Sequence, residues 1–290
     1  MKVVVFGGAG FLGSHVADAL SGRGNKVVVF DLKPSQYLSV GQDMVVGDIN
    51  DEALVNKTVE GVDAVYSFAG IADLDAAKKE PLFTVKNNIL GTTVILEACR
   101  KAKVKRFVFA STLYVYSRAG SFYRTSKQAC ELLIENYQEV YGLDYTVVRY
   151  GSLYGPRSGE TNWVHRVLKQ ALLEGKISRN GDGEELRDYI HVLDAARLSV
   201  DALAPEFTNQ HIIITGNQQI KIKDIMIMIK EMLNNVIQIE YKPVDSSEHY
   251  EITPYNFSPK LAKRVQSNHY VDLGQGILEM MGRLHAELKR

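Results

Sequence analysis

Cysteine and tryptophan are almost absent from this 290-residue chain, which holds two of the former and one of the latter. Cys99 and Cys130 stand alone in apolar, helix-like stretches, in no C-x-x-C or other metal-ligand spacing. That excludes a disulfide framework and a zinc site. The seven histidines form neither H-x-H nor H-E-x-x-H, so no metal is expected. Charge of one sign is missing too. Lys plus Arg and Asp plus Glu number 34 each, which leaves no net field to recruit nucleic acid or an anionic membrane. The basic run at 101–106 reads as a solvated helix end whose cations complement the helix dipole. No apolar run approaches the ~20 residues that span a bilayer. Residues 1–8 enter a strand directly, without a secretory cleavage pattern, and point to a cytoplasmic protein.

What is present is ordinary globular material, 46% hydrophobic and 23% charged, in a chain long enough for a sizeable core. Short β-branched runs at 2–6, 26–30, 44–46, 64–68, 106–110 and 145–148 alternate with helical patterns at 10–22, 51–58, 76–101 and 123–141. Apolar runs that lack clean alternation suit parallel strands covered on both faces. Repeated strand–helix order implies right-handed crossovers and a doubly wound α/β sheet of Rossmann type. Gly, Pro and Ser cluster at 151–159, and the pattern then changes. A helix at 163–174 and a glycine-rich turn at 180–183 precede strands at 211–215 and 236–241 and helices at 221–234 and 272–288. Residues 1–150 are therefore read as the sheet domain, completed by parts of about 186–217. Residues 151–290 mainly form a smaller mixed lobe, interleaved with the first domain and not folding independently. There is no internal repeat.

Gly7-Gly-Ala-Gly-Phe-Leu-Gly13 follows the first strand and opens a helix. Glycines at 7, 10 and 13, with Phe11 and Leu12 between them, allow a tight turn and close backbone approach to a pyrophosphate seated on the helix N-terminus. Asp31 ends the second strand 18 residues after Gly13, where a carboxylate accepts ribose hydroxyls and repels a 2′-phosphate. NAD is thus favoured over NADP, although Lys33 is a cation that tolerates the phosphate. The plainer reading of Asp31 is a strand-ending turn residue.

Tyr123-Arg-Thr-Ser-Lys127 puts a phenol and an amine on one face at the start of a helix. A tyrosine with its usual pKa of about 10 is a poor base. A neighbouring ammonium and a nicotinamide cation both favour phenolate. Y-x-x-x-K alone is common, but here a strand ending in Ser111-Thr112 precedes it. Thr112 falls at the C-terminal edge of the sheet, where its hydroxyl orients a substrate oxygen. Ser111 is the competing candidate, read as structural.

These motifs resemble an extended short-chain dehydrogenase/reductase, specifically the NAD-dependent epimerase/dehydratase family acting on nucleotide sugars, from Val3 to about Ala262. Asp48-Ile49 resembles the family's adenine-contacting pair, and Phe68-Ala69-Gly70 the segment lining the cofactor. Asn88-Ile-Leu-Gly-Thr92 is similar to the N-V-x-G-T helix motif that supports the active site. The stretch from Arg149 through Tyr150 to Pro156 is similar to the loop beneath the nicotinamide. Residues 181–192 resemble G-D-G-x-x-x-R-D-F-I-H-V, whose arginine, here Arg187, meets the substrate diphosphate. The alternative for Arg187 is an ion pair with Asp188 or a neighbouring acid. Asn162 either touches the nucleotide or caps a helix.

The resemblance implies chemistry at sugar C4. Dehydratases of the family carry Asp-Glu after the catalytic hydroxyl residue and 3,5-epimerase/reductases a Cys beside it. Here Leu113 and Tyr114 follow Thr112, which disfavours both. An NAD-dependent nucleotide-sugar C4 epimerase is the preferred expectation. A C4 dehydrogenase or ketoreductase uses the same residues, and a non-catalytic NAD-binding regulator is the rival from another class. Only five residues, 118–122, separate Ser117 from Tyr123, where the family usually has a long loop that closes over the sugar. The nucleotide is not legible. By the same resemblance a homodimer is expected through helices near 76–101 and 123–141.

Overall fold

Three consecutive valines and a phenylalanine in Lys2–Phe6 (β1) leave no face for water, and all four side chains are fully buried. The neighbouring strands are Lys26–Asp31 (β2), Gln42–Val46 (β3), Ala64–Ser67 (β4), Arg106–Thr112 (β5) and Tyr145–Tyr150 (β6), all largely buried except the partly exposed edge strand β3. The computed structural model describes residues 1–117, 119–243, 263–265 and 269–289. Within them the strands continue with Ser152–Tyr154 (β7), Lys176–Asn180 (β8), Leu186–His191 (β9), Gln210–Ile214 (β10), Gln219–Lys221 (β11), Gln238–Lys242 (β12) and Lys263–Val265 (β13). The main sheet has eight strands in the order β13-β10-β6-β5-β4-β1-β2-β3, and all of its pairings are parallel. It is the doubly wound Rossmann arrangement, whose order reverses between β1 and β4.

Helices Phe11–Gly22 (α1), Glu52–Val59 (α2), Leu74–Lys79 (α3), Pro81–Thr84 (α4), Gly91–Ala102 (α5) and Ser121–Tyr141 (α6) occupy the first half. Trp163–Glu174 (α7), Val192–Asp201 (α8), Ile222–Met232 (α9) and Leu273–Leu288 (α10) follow. One face of the sheet packs on α1 and α8 through residues such as Val16, Leu20 and Ala195. The other packs on α2, α5 and α6 through Val55, Ile95 and Ile134. Each such burial contributes about 1.5–3 kcal/mol for a full-sized aliphatic side chain. A third core, around Leu168, Ile225, Ile229 and Met280, joins α7, α9 and α10. Two small sheets, β11-β9-β7 and β12-β8, belong to this second layer. No helix among the described residues is long and apolar enough to cross a membrane.

The helix expected at 76–101 is broken. Glu80 leaves helical geometry at φ −127° because Pro81 follows it, and the chain restarts as α4. A π-helical turn, Val85–Leu90, then leads into α5 and turns Asn87 and Asn88 inward. The strands β7, β8, β9, β11 and β13 and the helix α8 are additional to the elements expected from the sequence.

Candidate active site

The chain leaves β1 through Gly7, whose φ of +76° belongs to the left-handed region and whose added Cβ would stand 2.5 Å from the Ala69 backbone nitrogen. At Gly13 a Cβ would meet the Gly7 carbonyl oxygen at 2.2 Å, so the first turn of α1 lies hard against the glycine turn. Gly10 is the N-cap residue of α1 and has no side chain to occupy the helix end. Asp31 Oδ2 accepts the Ala9 backbone N–H at 3.0 Å, which ties the tip of β2 to the turn. Lys33 is exposed just beyond it. This cradle, open only because three side chains are missing, fits a dinucleotide's pyrophosphate on the α1 N-terminus and its ribose at Asp31.

Other candidates on this side divide by burial. Leu12 is in the core, and Phe11 is half-buried, edge-on to His15. Asp48 is exposed, and the backbone and side-chain amides of Asn50 hold its carboxyl below the usual range. The Ile49 side chain is buried against Gly91 of α5. Phe68 stacks on Tyr66 at 6.1 Å and leans on Tyr150 at 6.4 Å, while Ala69 closes on Gly7. The Tyr150 phenol meets Ser199 Oγ at 2.6 Å, and burial raises its pKa.

Thr112 is the last residue of β5, and its Oγ1 accepts the Tyr114 backbone N–H at 3.2 Å. Its own hydroxyl proton therefore remains for another acceptor. Tyr123 lies in the first turn of α6, with Lys127 one turn on and on the same face. The Lys127 ammonium is buried; it donates to the Ala110 carbonyl at 2.7 Å and stands 4.6 Å above the Phe109 ring. It is 6.0 Å from the Tyr123 ring centre. Burial pushes its pKa down from the ordinary value, against the pull of Cys130 and Glu131.

Beneath these groups runs a buried polar frame. Ser111 Oγ donates to Glu131 at 2.5 Å, and Arg149 donates to the same carboxylate at 3.0 and 2.6 Å and also to the Tyr116 hydroxyl. Asn88 donates to the Ile71 carbonyl and to Ser126 Oγ, and accepts the Ile71 N–H at 2.6 Å. The Cys130 thiol donates to the Asn88 carbonyl.

A cleft of about 520 Å³ brings together Thr112, Tyr123, Tyr150, Asn162 and Arg187. Its lining does not include the glycine turn, Asp31 or Lys127. Asn162 caps α7 through the His165 N–H, and it also lines the cleft, with its amide on the Leu153 carbonyl. Arg187 is buried and donates to the Leu186 carbonyl at 2.9 Å. The residues after Thr112 part ways. Leu113 is fully buried, whereas Tyr114 enters the cleft edge-on to Tyr123 at 6.2 Å. Gly120 makes this possible, since a Cβ there would meet the Tyr114 ring at 2.7 Å. Arg118, in the same short loop, lies outside the described residues. Sequence reasoning missed Tyr114 as a lining group; the signal was its place between apolar Leu113 and Val115 just past a strand end. It also missed Asp73, Asp75, Trp163 and Arg166, which come from the start of α3 and from α7, and Arg179, which comes from β8.

Residues 3–215 match the family described as NAD dependent epimerase/dehydratase, and the chain belongs to that family. It is 27% identical to a UDP-glucose 4-epimerase of Halalkalibacterium halodurans, over 86% of this chain and 85% of the relative. It is 26% identical to a UDP-N-acetyl-alpha-D-glucosaminuronate decarboxylase of Bacillus cytotoxicus, over 96% of both chains. Among solved structures, the UDP-glucose 4-epimerase of Thermotoga maritima with UDP-glucose superposes with a TM-score of 0.87 at 27% identity, covering 99% of this chain and 100% of that one. The protein is an enzyme of a nucleotide-sugar family, and its cofactor is NAD.

Proposed function

We propose that the protein is an NAD-dependent nucleotide-sugar C4 epimerase. The observation that carries this reading is the cleft that Thr112 and Tyr123 share with Arg187, with the Lys127 ammonium 6.0 Å from the Tyr123 ring centre. Tyr123 as phenolate takes the proton of the C4 hydroxyl, and Lys127 favours that phenolate by its charge. Thr112 donates to the same oxygen and holds it in place. NAD, which Gly7, Gly10, Gly13 and Asp31 would hold, would supply two-electron redox chemistry at C4. C4 thus passes through a ketone, and return of hydride and proton on the other face inverts it with no net oxidation. Arg187 pairs with the diphosphate, for which a guanidinium's planar donors are suited. Asn162 lies within the same wall. Gly7, Gly10, Gly13 and Asp31 hold the dinucleotide, so residues 1–150 act as the NAD domain and 151–290 mainly as the substrate lobe. UDP is the nucleotide in the relatives named above and the first to test.

A C4 dehydrogenase or ketoreductase is the second reading, favoured by one observation. Only residues 118–120 separate Ser117 from α6, where the resemblance implies a long loop over the sugar, and a shorter loop favours release of the ketone. We also infer a homodimer through the 76–101 and 123–141 region, where Leu82, Leu90, Leu132 and Val140 are exposed. A monomer by light scattering at micromolar concentration contradicts it.

The deciding experiment incubates the NAD-loaded enzyme with UDP-glucose deuterated at C4. Label retained in a product of inverted C4 supports epimerisation. Stoichiometric NADH with label on the cofactor supports the second reading, and inertness toward every nucleotide sugar removes both.

A further inference from the structure

Charge is sorted along the cleft. Arg166 on α7, Arg179 on β8 and Arg187 on β9 are the basic side chains of its described lining, and all come from the second layer. Asp73 and Asp75 come from the first half of the chain, at the turn that opens α3. Glu185 is the other acid in the lining, and Arg179 pairs with it at 2.6 Å. Helix α3 packs against α6, the helix that carries Tyr123, which puts the two carboxylates with the reacting end.

We propose that this end accepts a sugar that is uncharged or carries an amine, and rejects a uronate. The inference rests on the C4 reading above. The reacting carbon has to lie beside Tyr123 and Thr112, and the carboxylate of a uronate is only two bonds from it. Such an anion would enter the wall that holds Asp73 and Asp75, where no described lining residue supplies a cation. Like charges brought face to face disfavour a ligand and build specificity against it. A hydroxyl or ammonium meets the reverse situation. Asp73 is fixed in place by its helix cap, Oδ1 accepting the Ala76 N–H at 2.8 Å, so its Oδ2 is presented without losing much side-chain freedom. The polarity of the whole cleft then orients the substrate, with the diphosphate toward the arginines and the sugar toward the carboxylates.

The test compares the full-length, NAD-loaded enzyme with Asp75→Asn and with Asp73→Asn/Asp75→Asn; asparagine keeps the cap. Binding of UDP, UDP-glucose and UDP-glucuronate is measured by calorimetry, and turnover on both sugars by kcat/KM. The wild type is expected to prefer UDP-glucose by at least about tenfold. The double variant is expected to cut that preference by about threefold or more through tighter uronate binding, with the affinity for UDP unchanged. Equal use of the two sugars by the wild type overturns the proposal, as does a preference that neither variant alters. These outcomes leave the C4 reading standing. Failure to turn over any sugar despite UDP binding removes that reading, and this inference with it.

Discussion

The side-chain amide of Asn88 and the hydroxyl of Ser126 meet at 2.8 Å, and the same hydroxyl donates to the Tyr123 carbonyl at 2.8 Å. A residue of the π-helical turn thus holds the start of α6 through one intermediate. Asn88→Ala strands the Ile71 N–H and carbonyl and loosens Tyr123. We expect a loss of about 2–4 kcal/mol, since buried groups lose their partners together. Urea unfolding measures it, and kcat should fall more than KM rises.

Tyr123→Phe removes the phenol and keeps the ring that packs on Tyr114. With proton transfer as its task, kcat should fall by about 10²–10⁴-fold while NAD content and stability hold. Activity equal to wild type would sink the assignment.

The Lys127 ammonium is held below its ordinary value by burial. Between that lowered value and the unfolded value of about 10.4, the unfolded chain binds more protons than the folded one. The stability of wild type relative to Lys127→Met should therefore rise with pH through this window. Urea midpoints of NAD-free protein near pH 7 and near pH 10 test the sign, and a difference that stays flat contradicts it.

Gly13→Ala forces a methyl to within 2.2 Å of the Gly7 carbonyl, so the glycine turn must open. NAD affinity should drop by about tenfold or more, equivalent to 1.4 kcal/mol, as read by fluorescence titration. An unchanged affinity would place the cofactor elsewhere.

Glu131 and Arg149 form a buried ion pair at 2.6 Å, with side-chain exposures of 5% and 1%. Removing either partner leaves the other's charge buried, at a cost of about 3–5 kcal/mol. Arg149→Met and Glu131→Gln combined should cost clearly less than the two single losses summed, and a denaturation cycle measures the coupling.

The sequence made the first half of the fold legible because its strands are short apolar runs and its helices keep their period. Gly7, Gly13, Asp31, Tyr123 and Lys127 were visible as spaced chemistry next to those elements. Asp73, Arg179 and Tyr114 were not, since a turn, a short edge strand and a tight turn after β5 carry no period from which a direction can be read. Leu12 and Ile49 show the opposite difficulty. They sit inside ligand-like motifs, yet their side chains are in the core, because a motif constrains the backbone path before it constrains each side chain.

The sheet is not assembled in the order in which the chain is made. Strand β6, buried at every position, ends at Tyr150, but its outer neighbour β10 begins only at Gln210, 60 residues later, and β13 later still. At about 5–20 residues per second, a nascent chain on the ribosome presents that bare apolar edge for roughly 3–12 s. An unpaired edge of this kind invites pairing with other chains. Truncation before Gln210 should therefore yield aggregates rather than a smaller NAD-binding protein, and chaperone demand should peak while residues 150–210 emerge.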